Sequence, residues 1–202
     1  MRAGPDGALD EALRRRHGVI AGVDEVGRGA LAGPVVVAAV ALPAQCGLVG
    51  IDDSKRVSPA RRAKLAPRIR EVAVSWALAQ RSAGDIDRLN ILKATAEAMK
   101  EAIVHLQPPP ACVVVDAVTL AGLGMPMIAE ARADERYLCV AAASIVAKVA
   151  RDEMMVELAR YYPGYGWERN KGYATSEHLE ALRRLGPSPL HRRSFAPVRV
   201  LA

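Results

Sequence analysis

The strongest constraint on this chain is a set of short apolar runs that each close on an acidic residue. Residues 19–23 run directly into Asp24-Glu25, residues 111–115 end at Asp116, and a weaker run at 127–131 leads to Asp134. Apolar runs this short, with no polar alternation, read as strands buried on both faces. A carboxylate closing such a strand is costly to desolvate and needs a partner. Residues 34–42 form a further buried-strand candidate, and 72–80 alternate as a half-buried strand does.

Helical signals fall between and after these runs. Residues 8–16 read as a short helix. Ser58-Pro59 reads as an N-cap with Pro in the first turn, opening a basic helix to about Arg70. In 90–106, Ile91, Leu92, Thr95, Met99 and Ile103 share one face, and Pro108–Pro110 stop the helix. Residues 138–161 predict a long helix, Ala-rich at its start. Residues 162–175 read as an aromatic, Gly-rich loop, and 176–185 as a last helix with Ser176 as its cap. Strands alternating with helices predict an α/β domain built on a mixed sheet.

Composition narrows the function classes. At 202 residues the chain suits one domain with a small appendage. Hydrophobic residues at 51% and charged residues at 25% exclude a disordered or collagen-like chain, and aromatics at 4% leave aliphatic residues and Ala to fill the core. The net charge of +6 points toward a polyanion, although abundant Arg with abundant Ala equally fits codon bias. The longest apolar stretch, 30–42, is broken by Gly33-Pro34 and is too short to span a bilayer. The N-terminus lacks the apolar core of a secretory signal. Three cysteines without a CxxC pair (Cys46, Cys112, Cys139) suit free thiols in a reducing cytoplasm, and four histidines without an HxxxH pair make a structural zinc site unexpected.

Taken together, Asp24, Glu25, Asp116 and Asp134 suit a divalent-cation site of the kind that cleaves phosphodiesters with two metal ions. Taken singly, each reads as a solvated loop acid or a cap; Asp134 precedes a helix and could simply cap it. Gly27-Arg28-Gly29 follows the acidic pair, and a glycine turn there lets a sugar approach the backbone closely. Five of the eight aromatics (Tyr161, Tyr162, Tyr165, Trp167 and Tyr173) lie within 13 residues, interleaved with Arg169 and Lys171. Such a stretch suits base or sugar stacking. Tyr161, Tyr162 and Trp167 are read as a small core, and Tyr173 as functional. The Ala-rich run at 141–147 reads as tight packing, with Lys148 and Arg151 as candidate exceptions. The basic helix of Arg61, Arg62, Lys64, Arg68 and Arg70 reads as a solvated face before a duplex-binding one. His178 either orients a loop or lies near a leaving group.

These residues resemble a known family. Asp24-Glu25-Val26-Gly27-Arg28-Gly29 is similar to the DExGRG signature of type 2 ribonucleases H, and Asp53-Ser54-Lys55 to the DSK element after it. Residues 141–148 with Arg151-Asp152 resemble the AAASIxAK…RD helix. Tyr162-Pro163, Tyr165-Gly166-Trp167, Asn170-Lys171-Gly172-Tyr173, Thr175 and His178 resemble the later aromatic stretch, and His191–Phe195 with Pro197 the HRRSF tail of the bacterial ribonuclease HII group. The likeness runs from about Val19 to Val198.

The resemblance implies a ribonuclease H-like fold, a mixed five-stranded sheet with flanking helices and a small helical C-terminal part. It divides the chain into a catalytic domain, 1–160, and a packed extension, 161–202. It implies a Mg²⁺- or Mn²⁺-dependent endonuclease that cuts the RNA strand of RNA–DNA hybrids. It also implies incision 5′ of single ribonucleotides in duplex DNA, leaving 3′-hydroxyl and 5′-phosphate ends. Asp24, Glu25, Asp116 and Asp134 take the metal-ligand positions. The backbone of Gly27, Arg28 and Gly29 takes the position that reads the ribose 2′-hydroxyl. Tyr173 takes that of the tyrosine packing on the next, deoxy, sugar. Ser54, Lys55 and Lys148 are candidate phosphate contacts. A cytoplasmic monomer is expected, with no membrane partner and no clamp-binding peptide, since only Arg199–Ala202 follow the tail motif.

Two departures stand out. Ala117 occupies the usual Gly position after the third acid, and Arg132 the usual Lys position two before the fourth. A different nuclease of the same fold, such as a junction resolvase or RNA-only nuclease, remains the second reading; a hybrid-binding protein with a degenerate site is the third. The paired GRG and KGY elements weigh against the former, the intact acidic set against the latter.

Overall fold

The computed structural model describes residues 4–201. Its centre is a five-stranded mixed sheet in the order β3-β2-β1-β4-β5. β1 (Ile20–Val26), β2 (Val35–Ala41) and β3 (Ser75–Arg81) form an antiparallel meander, while β4 (Cys112–Asp116) and β5 (Met127–Glu130) run parallel to β1. β2, with the sequence VVVAAVA, is buried along its whole length. Edge strand β3 alternates between buried and exposed positions, as its sequence predicts.

Helices cover both faces. α4 (Ile91–Val104) sets Ala98, Met99, Ala102 and Ile103 against Val23, Val37 and Val115. On the opposite face, α5 (Leu138–Tyr161) and α2 (Pro59–Val72) pack Ala142, Ile145, Val146 and Ile69 against Ala38 and Val40. The Ala-rich start of α5 follows from this layer: a Cβ added at Gly22 would lie 2.2 Å from the Cys139 backbone, so helix and strand touch with no side chain between them. The N-terminus of α5 is capped from far away. Asp10, in α1 (Ala8–His17), accepts the Leu138 and Cys139 N–H groups at 2.9 Å each. Asp134 therefore does not cap this helix; it sits in a 3₁₀ turn, Ala133–Glu135.

Beyond α5 lie α6 (Trp167–Asn170), α7 (Ser176–Leu185) and α8 (Ala196–Arg199). Their small core gathers Trp167, Tyr165 and Ala181 around Met155 and Ala32. Four details differ from the sequence expectation. α3 (Ala83–Leu89) forms where none was expected, behind a capping box of Ser82 and Asp85. α6 interrupts the expected loop. Thr175, not Ser176, caps α7. Tyr161 is 71% exposed and does not join the core expected of it; Tyr162 does, against Trp167. The three cysteines are free, with Cys112 and Cys139 buried. No helix among the described residues is long and apolar enough to cross a membrane.

Candidate functional site

The sheet register brings the acids together. Val23 pairs with Val115 in the parallel β1–β4 ladder, so Asp24 and Asp116 stand one step further along, at neighbouring strand positions. Glu25 follows Asp24, and Asp116 reaches the 3₁₀ turn by accepting the Ala133 N–H at 3.0 Å. The turn carries Asp134. A cleft of about 260 Å³ opens over the strand ends. It is lined by Asp24, Glu25, Asp116, the Gly27–Gly29 turn, Ser54, Lys55, Lys148 and Tyr173, together with Val26 and Ser144. Every residue that the resemblance assigns to metal, ribose or phosphate thus lines one cleft except Asp134; Arg151 and His178 do not line it. Asp134 is buried beside it, close enough to Asp24 and Asp116 for the charges to interact. A larger groove, about 390 Å³ and apolar, lies between Pro34, Met154 and Leu190 and holds no acidic cluster.

Electrostatics mark this cleft. Burial pushes the Asp24 carboxyl well above the usual range, and Glu25, Asp116 and Asp134 push it further, against a hydrogen bond from Ser144. Burial also raises Glu25, against the hydrogen bond and charge of Arg28, whose Nη1 is 2.9 Å away. Asp134 rises to about 6, first from burial and then from the charges of Asp53 and Asp116. Lys55 responds in the opposite sense: burial disfavours its ammonium, but Asp53, Asp134, Asp24 and Asp116 outweigh that and raise its pKa.

Among the described residues, no three His, Cys, Asp or Glu side chains are arranged to hold a metal ion as they stand. Three of the acids instead accept from protein donors, Asp24 from the Glu25 N–H, Glu25 from Arg28 and Asp116 from the Ala133 N–H. The donor set nevertheless fits a hard divalent cation. It is all oxygen, its like charges raise one another's pKa, and Glu25 Oε2 is buried with no partner. A cation here would relieve the repulsion that Lys55 and Arg28 offset only in part, since Asp24, Glu25 and Asp134 stay raised beside them.

The turn and loop around the acids are tightly tied. Gly27 has φ +90°, and a Cβ there would come within 2.1 Å of Arg151 Nε, so this position requires glycine. Gly29 has open space and no such requirement. Arg151, fully buried, donates to the Pro34, Lys171 and Ala32 carbonyls at 2.9, 3.0 and 3.1 Å. Arg192, also fully buried, donates to Arg28 and Gly33 carbonyls. Lys148 is paired with Asp152 at 2.6 Å, and its Nζ and the Arg151 guanidinium lie 5.7 and 5.3 Å from the Tyr173 ring centre.

Sequence reasoning missed the roles of Asp53, Ser144 and Arg192 in this site and left that of Arg151 open. Asp53 shares a hydrogen bond with Asp134. Ser144 donates its one hydroxyl proton to Asp24 and accepts from the Ser54 hydroxyl, 2.9 Å away. Arg192 holds the glycine turn, and Arg151, named only as a candidate exception, ties that turn to the Tyr173 loop. For Asp53 the available signal was its place at the head of the DSK element; for Arg151, a cation on an otherwise apolar, Ala-rich helix face.

A family model for ribonuclease HII matches residues 21–198. The chain is 49% identical over 193 residues to a ribonuclease HII of Thermus thermophilus, covering 96% of this chain and 94% of that protein. Among solved structures, the ribonuclease H2 of Pyrococcus horikoshii superposes with a TM-score of 0.77 at 27% identity, covering 91% of this chain and 96% of that one. The Archaeoglobus fulgidus ribonuclease HII, solved in complex with PCNA, superposes at 0.75 with 30% identity, covering 88% and 95%.

Proposed function

The chain belongs to the ribonuclease HII family of endonucleases, which hydrolyse RNA in RNA–DNA hybrids, and on that premise we propose that it is a divalent-metal-dependent nuclease that also incises duplex DNA on the 5′ side of a single embedded ribonucleotide. The products are a 3′-hydroxyl and a 5′-phosphate. The observation that carries this reading is one cleft lined both by the strand-end acids and by two sugar-facing elements, the Gly27–Gly29 turn and Tyr173.

In this reading Asp24, Glu25, Asp116 and Asp134 hold Mg²⁺ or Mn²⁺, which supplies an activated water and neutralises charge developing on the phosphate. The chain's own residues do the recognition. The Gly27–Gly29 backbone approaches the ribose closely and reads its 2′-hydroxyl, the group that separates RNA from DNA. Tyr173 offers a ring to the next, deoxy, sugar. Lys55 and Lys148 hold positive charge at the rim for phosphate, and Ser54 is fixed through Ser144 in the same wall. Residues 1–160 form the catalytic unit and 161–202 an extension that delivers Tyr173 to it. Arg151 ties the two, bonding both the segment after the glycine turn and the Lys171 carbonyl.

The test is a labelled DNA duplex carrying one ribonucleotide, incubated with Mg²⁺, Mn²⁺ or EDTA. Incision 5′ to the ribonucleotide, lost in EDTA and in Asp24→Asn, is expected. Binding without incision, or cutting of all-DNA junctions, would overturn the proposal.

A further inference from the structure

Behind Tyr173 lies a second buried polar cluster that the reaction does not use. His178, in α7, is fully buried, and His191, in the tail, is 1% exposed. Their ring centres are 5.2 Å apart, beneath the stacked Tyr165 and Trp167 rings. The hydrogen-bond partners fix where each proton sits. The Tyr173 carbonyl can only accept, so His178 Nδ1, 2.9 Å away, must donate. The Trp167 indole N–H can only donate, so His178 Nε2, at 3.0 Å, must be the bare acceptor. His191 Nε2 lies 3.1 Å from that bare nitrogen and therefore carries a proton. That leaves His191 Nδ1 bare, facing the Ser188 N–H at 3.0 Å and the Ser188 hydroxyl at 2.9 Å. The Ser188 hydroxyl oxygen in turn accepts from the Leu190 N–H at 3.3 Å.

Only one proton pattern fills all of these positions, and in it both rings are neutral. A proton on His178 Nε2 would face the indole N–H and the His191 N–H; a proton on His191 Nδ1 would face the Ser188 N–H. The surroundings agree. Burial lowers the pKa of both histidines, and the repulsion that two adjacent imidazolium ions would suffer helps to bring His191 to about 4. The charged neighbour that favours a His178 cation is exposed Glu177, and it does not outweigh burial. The Arg192 guanidinium, on the residue next to His191, is spent on the Gly33 and Arg28 carbonyls.

We propose that His178 is a positioning residue for the reaction: a neutral Nδ1–H tautomer, locked from behind by Trp167, His191 and Ser188, that holds the Tyr173 carbonyl and so sets the stance of the Tyr173 ring toward the substrate sugar. The proposal rests on the reading of Tyr173 given above. The loop has little slack to absorb a loss. The Tyr173 carbonyl also accepts the Thr175 N–H, the Tyr173 N–H is held by the Asn170 carbonyl, and a Cβ on Gly172 would lie 2.6 Å from the Ala32 oxygen. These contacts fix the place of the loop, and the His178 bond fixes the remaining tilt of the peptide that carries the ring, which the Thr175 N–H alone does not set.

Two measurements test this. Imidazole ¹⁵N NMR of the unmodified protein at neutral pH is expected to show His178 protonated on Nδ1 only and His191 on Nε2 only. An Nε2–H His178, or a cationic one, overturns the proposal. The second is the ratio of kcat/KM on a single-ribonucleotide duplex to that on a uniform hybrid, which a merely structural residue would leave unchanged. His178→Phe, which keeps a ring but loses the donor, is expected to lower the ratio by roughly tenfold, about the worth of one hydrogen bond. His178→Asn, which keeps an N–H near the Nδ1 position, is expected to retain most of it and serves if the Phe variant does not fold. A folded His178→Phe protein with an unchanged ratio overturns the proposal. Tyr173→Ala separates the two claims. If it leaves the ratio unchanged, the sugar-contact reading of Tyr173 fails, and the positioning role falls with it, whatever the spectrum shows.

Discussion

The molecule buries two polar clusters and finishes them differently. At the strand ends, Asp24, Glu25, Asp116 and Asp134 face one another with like charge, and among the described residues Glu25 Oε2 is the one buried carboxylate oxygen without a partner. In the C-terminal lobe, His178, His191, Trp167 and Ser188 pair every ring nitrogen, carry no charge and are sealed by aromatic rings. Both sites are desolvated, so burial is not what distinguishes them. A buried cluster left incomplete at the wall of a cleft is completed by something that binds there; a complete one fixes geometry. Tyr173 joins the two, its ring lining the cleft and its carbonyl held by the histidines.

The sharpest test of that contrast is Asp24→Asn. It is expected to lower cleavage on the order of 10³-fold or more, about 4 kcal/mol of barrier. The same change removes a buried charge that two hydrogen bonds, from the Glu25 N–H and Ser144, support against burial and three like charges. In chelator the variant is therefore expected to unfold a few degrees higher than the unmodified protein, for a gain of about 1 kcal/mol. Added Mg²⁺ is expected to raise the midpoint of the unmodified protein more than that of the variant. A variant less stable in EDTA would mean that the carboxylate is already satisfied, and the contrast would fail.

Arg151→Lys tests the connection between the clusters. The guanidinium serves three carbonyls, two beyond the glycine turn and one in the Lys171 loop. An ammonium cannot span that fork, and the carbonyls it abandons stay buried. A loss of roughly 2–4 kcal/mol in urea denaturation is expected. A loss under about 1 kcal/mol would show that the Arg192 hydrogen bonds, the backbone bonds and apolar packing hold the two parts together without Arg151.

What could be read from the chain follows the range of the interactions. Asp24, Glu25 and Asp116 were visible because each closes an apolar strand, a pattern written in consecutive residues. The seven-residue α3, with Gly84 inside it, has too little periodicity to register. Asp10 caps α5 across 128 residues, and nothing local announces it. Tyr161 and Tyr162 are neighbours at a helix end, so the turn of the helix lets only one face inward, and sequence does not say which. The role of His178 depends on Trp167 and His191, residues whose convergence exists only after folding.

The two clusters also titrate with opposite sign. Asp24 and Asp134 have raised folded pKa values, Asp134 to about 6. Without metal, the stability each contributes is full below the unfolded value near 4 and lost as pH rises through its raised folded value, about 6 for Asp134. His191 is lowered from 6.5 to about 4, so its contribution is full above 6.5 and lost as pH falls toward 4. Between pH 7 and 5 in EDTA the two trends offset, each worth about 1–2 kcal/mol. Removing the carboxylates with Asp24→Asn and Asp134→Asn together is expected to steepen the loss on acidification, read from urea midpoints at the two pH values. A double variant with the unmodified protein's pH slope would show that the acids are not strained by one another.

The smallest expected effect concerns backbone strain, which also gathers at the acids. Ala117, directly after Asp116, has φ +52°, and Arg132, two before Asp134, has φ +60°. In the C-terminal lobe most such positions are glycine (Gly164, Gly166, Gly172 and Gly186), with Lys171 the exception. A left-handed alanine costs about 1 kcal/mol, and glycine returns part of that to the unfolded chain as entropy. Ala117 is exposed, so Ala117→Gly loses no packing, and its N–H stays bonded to the Glu130 carbonyl at 3.0 Å. The variant is expected to gain up to about 1 kcal/mol in denaturant unfolding, with kcat within about twofold, since the 3.0 Å bond from the Ala133 N–H already holds Asp116. Arg132→Lys, with its side chain 80% exposed, is expected to change neither. A rate loss beyond about tenfold in Ala117→Gly, more than about 1.4 kcal/mol of barrier, would reverse the inference: the strained alanine would then be what aims Asp116, and the carboxylate cluster would be as rigidly preset as the histidines.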